Sequence, residues 1–190
     1  MRTFISINPD IDTKKKISEI QIRLKEKIST INKSFLDCVK WESVYNFHMT
    51  LFFIGEVNET GLNKIRSGLN ILEKEIKISE MEFTYKGTDA FPKLKFPRVL
   101  ILDLTNKDGK VFELSDTINS ALKEHGFISD KKFHPHITLG RVKRDRKIDL
   151  SNIRDSVSYD LSFKVNSFCL MKSELKSSGA EYSVLEEYKL

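Results

Sequence analysis

One short pattern occurs twice in the chain, and it constrains the fold more than any other feature. Each copy places a histidine two residues before a threonine in an apolar setting: His48-Met49-Thr50-Leu51 and His136-Ile137-Thr138-Leu139. Because successive side chains of a β-strand point to opposite faces, each copy predicts a strand with His and Thr on one face. The opposite, apolar faces would hold Met49, Leu51 and Phe53, and Ile137 and Leu139. Two such strands facing each other would form a cleft that contains two imidazoles and two hydroxyls.

A similar order of elements precedes each copy of the pattern. A strand at 2–8 is followed by a helix that Asp12 can cap, with the apolar stripe Ile17, Ile20, Leu24, Ile28 and Ile31. Other apolar stripes predict helices from 58 or 60 to 76 and over 110–125, and a short helix at 149–157. Further strands are predicted at 39–41, 81–86, 99–104, 161–175 and 181–188, with a loop at 87–98 and a turn around 177–179.

The repeated order predicts an α+β fold that is bilobal. Two pseudo-twofold-related lobes, each an antiparallel sheet with outer helices, would enclose a cleft between the sheets. No Gly/Ser-rich linker separates the halves. We therefore expect residues 1–190 to form a single domain of two interleaved lobes.

The composition is that of an ordinary globular protein with a modest excess of positive charge. The 190 residues carry a formal net charge of +5, which permits a polyanionic partner but does not require one. Basic residues follow the second motif at Arg141, Lys143, Arg144, Arg146 and Lys147, and others lie at Lys93, Lys95 and Arg98. The cluster that follows the second motif either guides a phosphate-bearing chain toward the cleft or simply solvates a surface turn.

Neither a membrane nor a disulfide framework is indicated. Residues 1–16 lack the apolar core of a signal peptide, and no apolar run approaches the length of a membrane span. Cys38 and Cys169 have no metal-binding spacing and lie among apolar residues, so we expect buried free thiols. The protein is expected to be cytoplasmic and monomeric.

Paired imidazoles suit a reaction in which one proton is removed and another is delivered near neutral pH. One neutral imidazole would take a proton from the nucleophile, and one protonated imidazole would give a proton to the leaving group. The threonine hydroxyls would donate hydrogen bonds to oxygens whose negative charge grows in the transition state. A phosphodiester fits this set of groups, and the sequence has no glycine-rich phosphate loop and no carboxylate cluster.

A metal site is the alternative use of these histidines. His134, His136 and Thr138 would share a strand face, and His48 would complete a three-histidine zinc site. Pro135 disfavours regular strand geometry there, and the threonines would have no role. We therefore expect no metal and no cofactor.

The motifs and their surroundings resemble those of the 2H phosphoesterase superfamily, and most closely its LigT-like RNA 2′,3′-cyclic phosphodiesterases, historically called 2′-5′ RNA ligases. The likeness extends over nearly the whole chain. Its matching segments are RTFISIN at 2–8, HMTLFFIGEV at 48–57, Phe91-Pro92 with Pro97-Arg98-Val99-Leu100, PHITLGRV at 135–142, and the closing SEL and GAEYSVL segments at 173–175 and 179–185.

The resemblance implies a metal-independent enzyme that opens a terminal 2′,3′-cyclic phosphate of RNA and leaves a 2′-phosphate. Carried over by position, His48 would be the proton donor to the departing 3′-oxygen, and His136 would be the proton acceptor that activates water. Thr50 and Thr138 would bind the phosphate oxygens.

Two further site residues depend on strand geometry. Arg141 matches a basic position of the family and would bind phosphate, but strict alternation places it opposite His136 unless the strand bulges near Gly140. Phe52 alternates with Met49 and Leu51, and is expected either to face the cleft and stack on a base or to pack in the core. Relatives often have Trp near the position of Ile101.

Other functions remain compatible with the sequence. The same histidines would serve the reverse reaction, an ATP-independent joining of RNA ends through a 2′-5′ bond. A non-catalytic RNA- or nucleotide-binding module is the alternative outside catalysis. The substrate is left open among tRNA halves, short oligonucleotides, cyclic nucleotides and an ADP-ribose cyclic phosphate.

Overall fold

The computed structural model describes residues 1–129, 132–153, 156–176 and 179–190. Within them the chain forms three α-helices: α1 (Ile11–Ile31), α2 (Glu59–Glu75) and α3 (Lys110–Lys123). The strands are β1 (Arg2–Ile7), β2 (Val39–Trp41), β3 (Met49–Glu56), β4 (Met81–Phe91), β5 (Val99–Thr105), β6 (His136–Val142), β7 (Ser162–Val165), β8 (Ser167–Lys176) and β9 (Gly179–Lys189).

The strands form two antiparallel sheets, as the sequence predicted. The first sheet has the order β3-β1-β8-β9, and the second has the order β2-β6-β5-β4-β7. In each sheet the strand that carries a His-x-Thr motif, called the motif strand, pairs with a strand that precedes a helix. Motif strand β3 pairs with β1, which precedes α1, and motif strand β6 pairs with β5, which precedes α3. Beyond β1 the first sheet continues with β8 and β9, and beyond β5 the second sheet continues with β4 and β7. Strand β2 is an additional edge strand next to β6. This common order is the predicted pseudo-twofold relationship, and the two motif strands contact each other.

The helices tie the two halves together. Helix α1 follows β1 of the first sheet, yet the buried side chain of Gln21 donates to the carbonyl oxygens of Leu139 (2.8 Å) and Glu42 (3.0 Å) beside the second sheet. Helix α3 follows β5 of the second sheet and contacts β3 of the first. One apolar cluster includes Ile5 and Met49 from the first sheet together with Leu102 from the second. Each motif strand is therefore supported from both halves.

The predicted stripe of α1 belongs to the core, with one exception. Ile17, Ile20, Leu24 and Ile28 are buried, whereas Ile31 at the end of α1 is exposed. Cys169 is buried as predicted, but Cys38 is only half-buried; both thiols are free. No helix in the described part of the chain is both long and apolar enough to cross a membrane.

Three predicted elements differ from the structure. The predicted loop at 87–98 is shorter, because residues up to Phe91 continue to pair with β5. The predicted strand at 161–175 is two strands, since β7 pairs with β4 and β8 pairs with β1. The region predicted as a helix at 149–157 contains, among its described residues, only a 3₁₀ turn (Ser151–Ile153). Residues 154 and 155 of this region lie outside the described residues. The predicted turn at Ser177-Ser178 also lies outside them.

The N-terminal cap of α1 gives a test of the fold. Asp10, and not the predicted Asp12, accepts a hydrogen bond from the Thr13 amide at 2.7 Å. Asp10→Ala should lower the free energy of unfolding by about 1 kcal/mol, because an N-cap side chain is lost. Asp12→Ala is the matched control and should have a smaller effect, since the Asp12–Lys15 ion pair is exposed. Urea denaturation measures both, and an equal or larger loss in Asp12→Ala would contradict the assignment.

Candidate active site

Each motif strand contains a β-bulge one residue after its threonine. In the pairing of β1 with β3, Thr50 lies opposite Ser6 and Phe52 opposite Ile5, so Leu51 is the extra residue. In the pairing of β5 with β6, Thr138 lies opposite Ile101 and Gly140 opposite Leu100, so Leu139 is the extra residue. A bulge breaks the alternation of faces. The third residue after each threonine therefore returns to the cleft side.

This shift brings Phe53 and Arg141 to the cleft. Phe53 is 47% exposed and lines the cleft together with Arg141, and the Arg2 guanidinium lies 5.0 Å from its ring centroid. The prediction that Phe52 faces the cleft is wrong: it is 3% exposed and belongs to the hydrophobic core. Phe53, expected in the core, takes the cleft position because of the bulge at Leu51.

The imidazoles of both motifs are held in the same way. His48 Nδ1 lies 2.7 Å from the carbonyl oxygen of Asn46, and His136 Nδ1 lies 2.7 Å from the carbonyl oxygen of His134. A carbonyl oxygen only accepts hydrogen bonds, so Nδ1 carries the hydrogen in each neutral ring. Nε2 is then left as an unprotonated acceptor that becomes a donor once the ring is protonated. Each half therefore supplies a nitrogen that can accept or deliver a proton.

Aromatic side chains fix the planes of the two rings. His48 contacts Phe4 and Tyr182 at centroid distances of 4.9 and 5.0 Å, and these two rings also contact each other at 5.2 Å. Phe91 meets His136 edge to face at 5.0 Å. Such contacts add to the hydrogen bond in restricting ring rotation.

The surroundings favour the uncharged form of both imidazoles. Burial lowers the pKa of His48 to about 4, and the charges of Lys14, Arg141 and His136 act in the same direction. Burial also lowers the pKa of His136, whereas the Asp103 carboxylate acts to raise it. Arg141 influences both rings, and His136 influences His48, so the three groups share one electrostatic environment. Both lowered pKa values favour the neutral rings at neutral pH in the free protein.

The cleft beside His48 has a volume of about 430 Å³ and an excess of positive charge. It is lined by the cations Arg2, Lys40 and Arg141 and by one carboxylate, Glu42, whose Oε1 lies 3.7 Å from Arg141 Nε. Thr50 is also part of its lining. Fixed positive charge in a half-buried cleft favours an anionic ligand.

Thr138 and Ile101 are neighbours in the second sheet and are not among the residues that line this cleft. Thr138 is half-buried on the His136 face of β6, and Ile101 pairs with it from β5. Ile101 is 1% exposed, so the place where relatives often carry Trp is here filled by a buried aliphatic side chain.

His134 has a partner of its own. Its Nε2 lies 2.8 Å from Asp103 Oδ1, and Lys86 Nζ lies 3.1 Å from Asp103 Oδ2. The described residues contain no group of three or more His, Cys, Asp or Glu side chains arranged to hold a metal ion. The sequence predicted a peripheral residue, whereas its backbone carbonyl positions the His136 ring.

Sequence reasoning missed several residues that shape the site. Phe4, Phe91 and Tyr182 reach the histidines only through the pairing of distant strands, although all three lie within the segments that carry the family resemblance. Arg2 and Phe53 approach each other because β1 and β3 pair. Alternation along a single strand carries no signal of these contacts.

Comparison with known proteins finds relatives over the full length of the chain. The model of the 2′-5′ RNA ligase superfamily matches residues 38–176. The RNA 2′,3′-cyclic phosphodiesterase of Thermotoga maritima is 34% identical over 187 residues, which cover 98% of this chain and 94% of that protein. The RNA 2′,3′-cyclic phosphodiesterase of Archaeoglobus fulgidus is 30% identical over 190 residues, which cover 100% of this chain and 100% of that protein.

Solved structures share the fold. A protein of Thermus thermophilus matches with a TM-score of 0.76 at 24% identity, covering 100% of this chain and 98% of that one. E. coli LigT complexed with 3′-AMP matches with a TM-score of 0.72 at 22% identity, covering 100% of this chain and 97% of that one.

The lowered pKa of His48 predicts a specific sensitivity to acid. In the unfolded chain the ring protonates near its ordinary pKa of 6.5, whereas in the folded protein it protonates only near pH 4. The unfolded state therefore binds more protons in this window, and the free energy of unfolding should fall as the pH is lowered through it. Urea denaturation at several pH values measures this slope.

The variant His48→Asn isolates this contribution. Its side-chain amide can still donate to the Asn46 carbonyl but does not titrate, so stability should fall less steeply between pH 6.5 and 4. His136→Asn should act in the same direction, because burial also lowers the pKa of His136. Slopes identical to that of the unmodified protein in both variants would contradict the burial of two neutral imidazoles.

Proposed function

The chain belongs to the 2′-5′ RNA ligase superfamily, and we propose that it is an RNA 2′,3′-cyclic phosphodiesterase that acts without a metal ion. The observation that carries the proposal is the pair of matched imidazoles, each with Nδ1 bonded to a backbone carbonyl, on two motif strands that contact each other. The names of the Thermotoga and Archaeoglobus relatives support the same activity.

In the proposed reaction His136 Nε2 takes a proton from water as the water oxygen attacks phosphorus. The bond between phosphorus and the 3′-oxygen breaks, and His48 gives its proton to that oxygen. The product is a 2′-phosphate with a free 3′-hydroxyl. One proton enters the enzyme at His136 and one leaves at His48, so exchange with solvent restores the starting state.

Three side chains would stabilise the phosphate. The hydroxyls of Thr50 and Thr138 would donate to the non-bridging oxygens as their negative charge grows. Arg141 lies at the cleft and influences both imidazoles, so its guanidinium would bind the same anion.

The proposed direction of proton transfer, from His48 and to His136, depends on the bound substrate. In the free protein Arg141 opposes a charge on both imidazoles, whereas Lys14 opposes one on His48 and Asp103 favours one on His136. The contrast between Lys14 and Asp103 favours His136 as the acid, opposite to the roles carried over from the family. The proposed roles therefore need the anionic phosphodiester to bind next to His48 and raise its pKa.

The base of the terminal nucleotide would stack on Phe53. Its ring is exposed in the cleft, and the Arg2 guanidinium lies over it at 5.0 Å from the centroid. The base would stack on the other face of the ring, with the guanidinium near its negative phosphate. Phe53 thus takes the role that the sequence assigned to Phe52.

The proposal predicts the effect of removing either imidazole. His48→Ala and His136→Ala should each lower kcat/KM on an oligoribonucleotide with a 2′,3′-cyclic end at least about 100-fold, because a general acid or base is lost. The assay contains EDTA and an RNA with a 5′-hydroxyl end, and ³¹P NMR identifies the product. We expect a 2′-phosphate. The mechanism would be refuted by a 3′-phosphate product, by activity that is lost in EDTA and restored by zinc, or by near-normal rates in both variants. A product with a 2′-5′ linkage would instead favour the joining reaction.

A second substrate separates the acid from the base. Bis(4-nitrophenyl) phosphate has a leaving group that departs without a proton, so His48→Ala should lose much less activity on it than His136→Ala. The opposite ranking would exchange the two roles.

Phe52 and Phe53 form a matched pair for the base site. Phe53→Ala should raise KM for a cyclic nucleotide at least about fivefold, because base stacking is lost, with little change in stability. Phe52→Ala should instead lower the free energy of unfolding by about 3–5 kcal/mol, as large core truncations do. Thermal denaturation and steady-state kinetics measure both, and the reverse result would contradict the bulge at Leu51.

A further inference from the structure

Two neighbouring loops carry the excess positive charge of the protein. Residues 92–98 and 143–149 contain seven basic and two acidic side chains, a net of +5 that equals the net charge of the whole chain. All seven cations are exposed: Lys93, Lys95, Arg98, Lys143, Arg144, Arg146 and Lys147. The rest of the sequence is neutral overall. We call these two loops the basic loop surface.

The backbone of this surface is anchored. The Leu150 amide donates to the Leu94 carbonyl at 2.9 Å, and the Arg98 amide donates to the Phe91 carbonyl at 2.7 Å. Leu94, Ile148 and Leu150 are buried in the hydrophobic core. The cations therefore project from a fixed platform, which reduces the entropy lost when a ligand binds.

Most of these charges are not neutralised within the molecule. Arg146 pairs with Asp145 at 3.3 Å. Throughout the described ranges, no acidic side chain forms an ion pair with the other six cations. Clustered like charges repel one another, and a polyanion relieves that repulsion.

An exposed aromatic ring lies within the surface. Phe96 is 55% exposed, and the ammonium groups of Lys93 and Lys95 lie 5.5 and 5.8 Å from its centroid. Both ammonium groups lie over the ring, so a base that stacks on Phe96 would displace an ammonium group toward the neighbouring phosphate, as in single-strand sites that combine aromatic rings with cations. A stacked base uses the exposed ring and its phosphates use the cations, so single-stranded RNA engages both features of this surface.

The surface is continuous with the active site. The first loop begins directly after Phe91, whose ring contacts His136 at 5.0 Å. The second begins two residues after Arg141, and the intervening Val142 amide donates to the Arg98 carbonyl at 3.0 Å. A nucleic-acid strand that extends from the histidine pair on the His136 side would therefore reach these two loops directly.

We propose that the basic loop surface binds the single-stranded RNA upstream of the cyclic end, with a base stacked on Phe96 and phosphates near Lys93 and Lys95. This rests on the proposed function and specifies its substrate class: an RNA strand, in preference to a cyclic mononucleotide. The terminal nucleotide occupies the cleft beside Phe53, and the preceding nucleotides follow the two loops.

The test compares two substrates in one set of variants. The loop variant is Lys93→Gln/Lys95→Gln/Phe96→Leu, and the control is Lys64→Gln/Lys74→Gln, which removes the same charge from exposed positions on α2. The substrates are a cyclic-ended oligoribonucleotide of about eight nucleotides, within the range of single-strand sites, and 2′,3′-cyclic AMP. Fluorescence anisotropy with the same oligonucleotide ending in a 3′-hydroxyl measures binding without turnover.

The loop variant should raise KM for the oligonucleotide and its Kd at least about fivefold, because a stacked base and two phosphate contacts are lost. Its kinetics on 2′,3′-cyclic AMP, and all values for the control, should remain within about twofold. The slope of log Kd against the logarithm of the salt concentration should decrease by about 1.4, since each of the two lost phosphate contacts on a single strand contributes about 0.7. Phe96→Trp should retain oligonucleotide affinity, because it keeps the aromatic face.

Oligonucleotide values unchanged in the loop variant, or an equal loss on both substrates, would overturn the inference. So would a loop variant that loses affinity for polyglutamate but not for RNA, which would indicate an acidic protein partner. If the unmodified protein turns over neither substrate but the anisotropy pattern holds, the proposed function fails while the binding surface stands.

Discussion

Each imidazole of the site is held by one hydrogen bond from Nδ1 to the carbonyl oxygen of the residue two positions earlier, Asn46 or His134. This bond fixes the neutral tautomer, because a carbonyl oxygen cannot donate. It therefore leaves Nε2 of His48 and of His136 as the reactive nitrogen. Since the two bonds are equivalent, both halves present the same chemical group, and in the proposed reaction the charges around the rings would have to distinguish acid from base.

The bulges at Leu51 and Leu139 decide what accompanies those nitrogens. Both follow the threonine directly, so the residue three positions after each threonine enters the cleft. In one half this residue is Phe53 and in the other it is Arg141. The same backbone irregularity thus brings an aromatic ring to the cleft from one half of the protein and a guanidinium from the other.

Features with a local period could be predicted from the sequence. The helical stripes and the shared faces of His48 with Thr50 and of His136 with Thr138 depend only on repeats of 3.6 and 2 residues. Features set by partners distant in sequence could not: the bulge that exchanges Phe52 and Phe53 arises in the pairing with β1, and Tyr182 reaches His48 through strands β8 and β1.

The central claim is that His48 and His136 bind one phosphate together through Nε2. The most direct test is ¹⁵N NMR of both imidazoles during titration with 2′-AMP, an analogue of the proposed product end. The Nε2 resonances of both rings should move toward protonated values with a single dissociation constant, while both Nδ1 atoms remain protonated. A response confined to one ring, or two different dissociation constants, would contradict the account.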